Sequence, residues 1–139
     1  MITKQVSIFL ENKSGRLNEV INILGEAKIN ISAFTIADTS DFGILRLIVS
    51  NPEKTIDILK QNQFSAQTTD VVLVKTANES GALVNLIGLL NSEGIFIEYM
   101  YAFSMNENEA VTVIRPVDVV KCMDILQNQG TNFILTDKL

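Results

Sequence analysis

A six-residue pattern occurs twice and divides the chain into two similar halves. Residues 12–17 (NKSGRL) and 78–83 (NESGAL) share Asn, Ser, Gly and Leu at an offset of 66 residues, and each stretch follows an apolar run. Asn and Ser favour the N-cap of a helix, because their side-chain oxygens accept hydrogen bonds from the first free backbone N–H groups. Glycine lets the backbone turn sharply and lets a ligand approach it closely. Each copy is therefore predicted to carry the chain from a strand into a helix.

A helix start of this kind can bind an anion. Its first N–H groups have no partner inside the helix, and the helix dipole places partial positive charge there, so a carboxylate or phosphate is held favourably. For a single copy, a well-capped turn without a ligand is the favoured interpretation, because such turns are common. Two copies at one offset favour a binding role.

Apolar spacing predicts the same order of elements in both halves, namely strand, helix, strand, strand, helix, strand. In the first half these are residues 3–10, 15–27, 29–38 and 42–49, a helix opened by Pro52, and a strand within 64–69. In the second half they are a strand around 71–74, a helix ended by Gly94, strands at 95–104 and 109–115, a helix opened by Pro116, and a strand at 133–135. The repetition indicates a tandem duplication.

This order predicts an α+β fold of two tandem ferredoxin-like βαββαβ units, each with an antiparallel sheet and both helices on one face. We expect the units to be residues 1–69 and 70–139. No Gly/Ser-rich linker separates them, so a rigid side-by-side pair is expected. Phe34 and Ile36 would lie on the strand face opposite Ile31 and Ala33. Because apolar residues lie on both faces of the strands, we expect the second sheet face or the sheet edges to be covered as well, by pairing between the two units and by a homodimer.

Composition and charge exclude several functions. The 139-residue chain has no histidine, which removes Ser-His and Cys-His nucleophile pairs and imidazole metal ligands. Its net charge of −5 argues against nucleic acid and against an anionic membrane surface as partners. No apolar run approaches the roughly 20 residues that span a bilayer, and Met1 leads into strand-like sequence without a signal-peptide pattern. The single Cys122 suits the cytoplasm. We expect a cytoplasmic protein that is not an enzyme and has no cofactor.

With these features the chain resembles the ACT domain family of small amino-acid-sensing modules. The resemblance covers essentially the whole chain, once per half. It rests on the Asn-x-Ser-Gly-x-Leu loop, on the apolar helix stripe that follows, and on Lys28-Ile29-Asn30-Ile31, which is similar to a "glycine-x-Asn-Ile" signature of the family. Stand-alone tandem ACT proteins without a catalytic domain form a known class, and this chain looks like one.

The resemblance implies a free amino acid bound between two side-by-side units. The first loop of one unit would hold the ligand carboxylate, and the start of the second strand of its neighbour would complete the site. The implied loop residues are Asn12, Ser14, Gly15, Arg16 and Leu17 in the first unit, and Asn78, Ser80, Gly81, Ala82 and Leu83 in the second. The implied strand residues are Asn30 and Ile31 in the first unit, and Phe96, Ile97 and Glu98 in the second.

The two halves differ at the start of the second strand. Asn30 can accept a hydrogen bond from an ammonium group and donate one to a carboxylate, whereas Phe96 can do neither. Glu98, in place of Ser32, could offer charge to an ammonium group instead. We therefore predict one well-formed site, centred on Gly81 and Asn30. An equal alternative is that Asn30 is simply a polar residue at a strand edge and binds no ligand.

Three other functions remain as alternatives. The chain could be an oligomerisation or protein-interaction module with degenerate ligand sites, in which Phe96 marks lost binding. RNA could stack on Phe34, Tyr99, Tyr101 and Phe103, although the acidic charge opposes this. A carboxylate-based mutase would rest on fold analogy alone. An amino-acid sensor would pass its state to a protein target that the sequence does not identify.

Overall fold

The computed structural model describes residues 2–11, 14–38, 41–129 and 134–135. The chain folds into β1 (Thr3–Glu11), α1 (Arg16–Glu26), β2 (Ile31–Asp38), β3 (Phe42–Val49), α2 (Pro52–Gln61), β4 (Ser65–Ala77), α3 (Ala82–Ser92), β5 (Ile97–Ser104), β6 (Glu109–Pro116), α4 (Val119–Gln127) and β7 (Ile134–Leu135). The structure divides into two units, Lys4–Thr69 and a second one that comprises the chain from Asp70 onward together with Thr3, so that β4 is shared between them. The predicted strand at 133–135 becomes Ile134–Leu135, and Phe133 lies outside the described residues.

The first unit, Lys4–Thr69, is a four-stranded sheet covered by two helices. Its strand order is β2-β3-β1 followed by the first part of β4, and β3 pairs antiparallel with both β1 and β2. Alternate strand residues and one stripe of each helix meet in a single core, as expected for amphipathic elements. Its fully buried members are Val6, Ile8, Val20, Leu24, Leu45, Leu47 and Leu59.

The second unit, from Asp70 onward, repeats this arrangement. Its order is β5-β6-β4, with β7 pairing to the other side of β4, and all of these pairs are antiparallel. The core is again formed by one face of the strands and one stripe of each helix, with Val72, Val74, Leu86, Leu90, Ile114 and Leu126 fully buried. Both units therefore have the ferredoxin-like order, and the predicted tandem fold is confirmed.

A β-bulge interrupts the second strand of each unit. The register shifts between Ile31 and Ala33 in β2, and between Ile97 and Tyr99 in β5. Because a bulge adds one residue to one strand of a pair, it reverses the alternation of faces. Ile31 consequently packs against the core of the first unit. The prediction that Ile31 and Ala33 share a face is wrong.

The second helix of each unit has a side-chain N-cap. The Asn51 Oδ1 accepts a hydrogen bond from the Lys54 N–H at 3.1 Å, and Pro52 is the first helical residue as predicted. In the second unit, Asp118 Oδ1 accepts from the Lys121 N–H at 3.0 Å. The prediction that Pro116 opens α4 is wrong, because Pro116 is the last residue of β6. The capping residue, rather than the proline, fixes where this helix begins.

Lys28 has a left-handed backbone where the second unit has glycine. Its φ is 58°, and the corresponding Gly94 has a φ of 73°. A side chain on a left-handed backbone costs about 1–2 kcal/mol of folding free energy. Replacing the residue by glycine removes that cost, but part of the gain is lost because glycine has more conformational entropy in the unfolded state. We expect Lys28→Gly to raise the free energy of unfolding by about 1 kcal/mol, measured by urea denaturation. Gly94→Lys should lower it, and a loss of stability in Lys28→Gly would contradict the prediction.

In the described part of the chain, none of the helices is long and apolar enough to cross a membrane.

Candidate functional site at the glycine-capped helices

The helix that follows the first strand begins in the same way in both units. Gly15 and Gly81 occupy the N-cap positions of α1 and α3 with φ values of 88° and 92°, and no side chain caps either helix. The prediction that Asn or Ser caps these helices is therefore wrong. A Cβ on either glycine would meet no atom within 4 Å. The backbone conformation, rather than a lack of space, is what requires glycine here.

Because no side chain caps the start of α3, some of its first backbone N–H groups remain available as hydrogen-bond donors. The Ala82 N–H donates to the Glu79 carbonyl at 3.3 Å, and the Asn85 N–H donates to the Gly81 carbonyl at 3.0 Å. The N–H groups of Leu83 and Val84, between them, have no hydrogen-bond acceptor among the described residues. Such donors, together with the helix dipole, suit a carboxylate.

Asn78 holds this loop in place instead of capping the helix. Its backbone N–H donates to the Asn108 carbonyl at 2.9 Å. Its Nδ2 donates to the Asn106 carbonyl at 3.2 Å and to the Ser104 Oγ at 3.4 Å. The loop before α3 is thus fastened to the hairpin between β5 and β6. The equivalent Asn12 and its neighbour Lys13 lie outside the described residues.

Asn106 closes that hairpin with its own side chain. Its Oδ1 accepts hydrogen bonds from the Asn108 N–H at 2.8 Å and from the Glu109 N–H at 2.9 Å, and its Nδ2 donates to the Glu109 Oε2 at 3.1 Å. Asn side chains commonly bond to the backbone two residues further on, so Asn106 is a local turn residue. Its contact with Asn78 links this turn to the candidate site, and no local sequence pattern indicates that link.

Asn78→Ala should release the loop before α3. Two side-chain hydrogen bonds are lost, which at about 0.5–1.5 kcal/mol each lowers the free energy of unfolding by about 1–3 kcal/mol. Amide hydrogen exchange across residues 78–84 should accelerate. Asn18→Ala is the control, because Asn18 is exposed in α1 and should change stability by less than about 0.5 kcal/mol. Unchanged exchange in Asn78→Ala would contradict the assigned role.

The remaining loop residues are mostly exposed. Ser14 and Ser80 are exposed, as are Leu17 and Leu83, and Ala82 is half-buried. Arg16 differs, because its Nη1 pairs with the Glu19 Oε2 at 2.9 Å and its guanidinium lies 4.2 Å from the centre of the Phe64 ring. Its charge is thus engaged inside its own unit.

The strand starts differ as their sequences do. Asn30 exchanges hydrogen bonds with Ser50, its N–H donating to the Ser50 Oγ at 3.0 Å and its carbonyl accepting from the Ser50 N–H at 2.9 Å. Its carboxamide is exposed and has no partner in the described part of the chain. The Phe96 carbonyl accepts from the Val117 N–H at 3.0 Å, and the Phe96 ring is 71% exposed. Only Asn30 therefore presents a free polar side chain.

Glu98 and the two isoleucines have structural contacts. Glu98 Oε2 lies 3.3 Å from the Arg115 Nε, and the Arg115 Nη1 donates to the Asp70 carbonyl at 2.7 Å. Ile31 and Ile97 are half-buried, and each packs against the core of its own unit. The Glu98 carboxylate already has a cationic partner.

The loop and the strand start of one unit do not meet. In the first unit Gly15 precedes α1 and Asn30 follows it, and the 11 residues of this helix span about 16 Å at 1.5 Å per residue. A site that uses both kinds of residue therefore needs a neighbouring unit.

A cavity of about 410 Å³ lies beside α3 within the second unit. It reaches Glu79 and Ala82 of the candidate loop, and it is also lined by Thr76, Ala77, Asn85, Leu89 and Gln129. Asn85 and Leu89 follow Ala82 at helical spacing, so one face of α3 forms a wall. The sequence pattern pointed to the loop but not to this wall.

Cys122 is buried in α4 and is unsuited to nucleophilic chemistry. Burial raises the pKa of its thiol from 9.0 to about 11, and Asp118 adds to the shift. At pH 8 the shifted pKa alone lowers the thiolate fraction about 100-fold, so we expect labelling by a thiol reagent to be slower by at least that factor in the native protein than in urea. Rapid native labelling would contradict the assigned burial.

The same shift defines a pH dependence. The folded-state pKa lies above the unfolded-state value, and the neutral thiol is the form that the core favours. Its contribution to stability is complete below about pH 9 and is lost as the pH rises from about 9 to about 11.

The chain consists of two ferredoxin-like units in tandem. In each unit, a helix with glycine at its N-cap position follows the first strand. The protein is therefore a tandem repeat of one small domain rather than a single larger domain. A family model described as "ACT domain pair" matches residues 1–139, and the chain belongs to this family. A comparison with curated proteins finds no match.

Solved structures show the same architecture. A crystal structure of a protein from Bacteroides thetaiotaomicron is similar at 49% identity and a TM-score of 0.92, covering 99% of this chain and 94% of that one. The ligand-free regulatory subunit of aspartate kinase from Thermus thermophilus is 11% identical with a TM-score of 0.65, covering 93% and 94% of the two chains. The regulatory subunit of aspartate kinase from Thermus flavus is 14% identical with a TM-score of 0.63, covering 88% of each. At these low identities the two Thermus proteins share the fold.

Proposed function

We propose that the chain is a non-catalytic regulatory protein that binds a free amino acid between two ACT units. The observation that carries the proposal is the start of α3, where Gly81 at φ 92° leaves the Leu83 and Val84 N–H groups without a capping side chain. These donors would hold the ligand carboxylate. The family, and the likeness to the two Thermus regulatory subunits of aspartate kinase, support a regulatory function.

Asn30 is proposed to complete the site from a neighbouring unit. Its exposed carboxamide has no partner among the described residues, so its oxygen is available to an α-ammonium group. The Phe96 side chain offers no such group, and Glu98 is paired with Arg115. The proposal is therefore one complete site, formed by the Gly81 loop and Asn30.

A regulatory rather than catalytic role agrees with the chemistry of the chain. The sequence has no histidine, and its one thiol is buried with a raised pKa. Arg16 and Glu98, the charged residues implied at the two site regions, pair with Glu19 and Arg115. The ligand state would be passed to a protein target whose identity is open.

Thermal unfolding in the presence of each of the twenty amino acids tests the proposal. A ligand that binds only the native state at about 100 times its Kd adds about 2.7 kcal/mol of stability. We expect a selective rise in Tm for one amino acid or a few related ones at millimolar concentration. A flat response to all twenty would reject free-amino-acid binding.

A flat response would favour an interaction module with degenerate sites. The exposed side chains of Phe96 (71%) and Val117 (59%) favour this second function, because they place apolar surface where the first unit has Asn30 and Ser50.

A further inference from the structure

The cavity beside α3, which lies within the second unit, is lined by polar side chains that are free to bind a ligand. Thr76, Glu79, Asn85 and Gln129 line it, and their side chains have no hydrogen-bond or ion-pair partner among the described residues. The volume of about 410 Å³ lies within the range of small-molecule sites, about 300–1,000 Å³. Glu79 is the only charged residue among the seven described residues of the lining.

The first unit has a charged pair at two positions that correspond to the cavity wall. Arg16 and Glu19 precede Ala82 and Asn85 by 66 residues. The Arg16 Nη1 pairs with the Glu19 Oε2 at 2.9 Å, and its guanidinium lies 4.2 Å from the centre of the Phe64 ring. Phe64 is buried in the core of this unit, and the Arg16 side chain is only 26% exposed. The first unit thus holds one of its own guanidinium groups beside α1.

The second unit lacks this pair. Ala82 has a single side-chain carbon where Arg16 has a long cationic side chain, and Asn85 is neutral where Glu19 is acidic. The charge of the preceding loop is reversed as well, because Glu79 takes the place of Lys13. The second unit therefore has a carboxylate at its cavity but no cation of its own, in the described part of the chain, to pair with it.

If an amino acid binds as proposed, with its carboxylate on the Leu83 and Val84 N–H groups, we propose that its side chain enters this cavity and ends in a guanidinium group. Ala82 lines the cavity and directly precedes Leu83, so the cavity adjoins the proposed carboxylate site. The ligand's guanidinium would take the role that Arg16 has in the first unit. Arginine and its close analogues are therefore the ligand class.

The lining supplies what a guanidinium group requires. This group has five N–H donors and no acceptor, so it needs oxygen atoms around it. The Glu79 carboxylate supplies the opposite charge and can accept two parallel hydrogen bonds. The carboxamide oxygens of Asn85 and Gln129 and the hydroxyl oxygen of Thr76 are further acceptors. Leu89 offers apolar surface to the methylene groups of the ligand.

Calorimetric titration of the full chain with arginine and with citrulline tests the proposal. Citrulline has nearly the same shape as arginine, but its side chain ends in a neutral ureido group. We expect arginine to bind at least about tenfold more tightly, because hydrogen bonds between charged groups are stronger than neutral ones. Lysine should also bind more weakly than arginine, since its ammonium group is a compact charge without the planar fork of donors.

Glu79→Gln should remove the preference for arginine. The variant loses the charge but keeps a side chain of the same shape, so the affinity for arginine should fall at least about tenfold while that for citrulline changes little. Glu93→Gln is the matched control. It removes the same charge from an exposed residue at the other end of α3, and it should keep the preference.

A second variant fills the cavity. Ala82→Arg combined with Asn85→Glu gives the second unit the pair that Arg16 and Glu19 form in the first. The new guanidinium should occupy the cavity, so that arginine no longer binds while circular dichroism stays native.

Thermal unfolding with all twenty amino acids separates this proposal from the proposed function. Selective binding of an amino acid without a guanidinium group would overturn the cavity assignment and leave amino-acid binding in place. So would arginine binding that is no tighter than that of citrulline or lysine, or that survives both Glu79→Gln and the cavity-filling variant. A flat response to all twenty would reject both proposals.

Discussion

Gly81→Val is expected to abolish the stabilisation by amino acid. Valine is strained at a φ of 92°, and relief of that strain moves the turn that aims the Leu83 and Val84 N–H groups. An amino acid that adds about 2.7 kcal/mol to the wild type at 100 times its Kd should add nothing measurable to the variant. Thermal unfolding with and without the ligand measures the difference.

Gly15→Val is the matched control for this experiment. Gly15 has nearly the same backbone conformation, with a φ of 88° and open space around its Cα, so valine should cost about the same 1–2 kcal/mol of stability there. The ligand response should persist, because the proposed site uses the loop at Gly81 and not the loop at Gly15. A response lost in Gly15→Val and kept in Gly81→Val would show that the site assignment is reversed.

The second large effect, a loss of stability, is expected from substitutions in the hydrophobic cores of the two units. Leu24→Ala and Leu90→Ala each remove a fully buried side chain, one from each unit, at positions 66 residues apart. Each should lower the free energy of unfolding by about 2–5 kcal/mol, through lost burial and the cavity that remains.

Urea denaturation of each variant measures that loss. Leu17→Ala provides the comparison, because Leu17 is 39% exposed in α1 and should cost less than about 1 kcal/mol. A loss below about 1 kcal/mol in either core variant would contradict the assignment of that residue to the core.

The tandem fold was predictable because its signal is periodic and occurs twice. Apolar spacing of 3.6 residues in the helices and two in the strands depends on which side chains must be buried, and both units follow it. The glycines at the start of α1 and α3 were also predictable as loop positions. Their role was not, since Gly15 and Gly81 take the N-cap positions that the pattern favours for Asn or Ser.

Long-range contacts account for most of what the sequence did not indicate. Asn78 bonds to residues 104, 106 and 108, and no local pattern connects these positions. Glu98 pairs with Arg115 and the Arg16 guanidinium lies over the Phe64 ring, and only the folded chain brings these partners near. Pro116 was misplaced because proline is equally acceptable as the last residue of a strand and in the first turn of a helix.

The two β-bulges separate what the fold requires from what the strand sequences specify. They interrupt β2 and β5 at equivalent positions, yet ISAFTIAD and IEYMYAFS agree only at their first residue. Bulges are retained within families as features of the fold. The irregularity is present in both halves although the residues around it differ. The bulge is therefore a property of the shared fold rather than of either strand's own sequence.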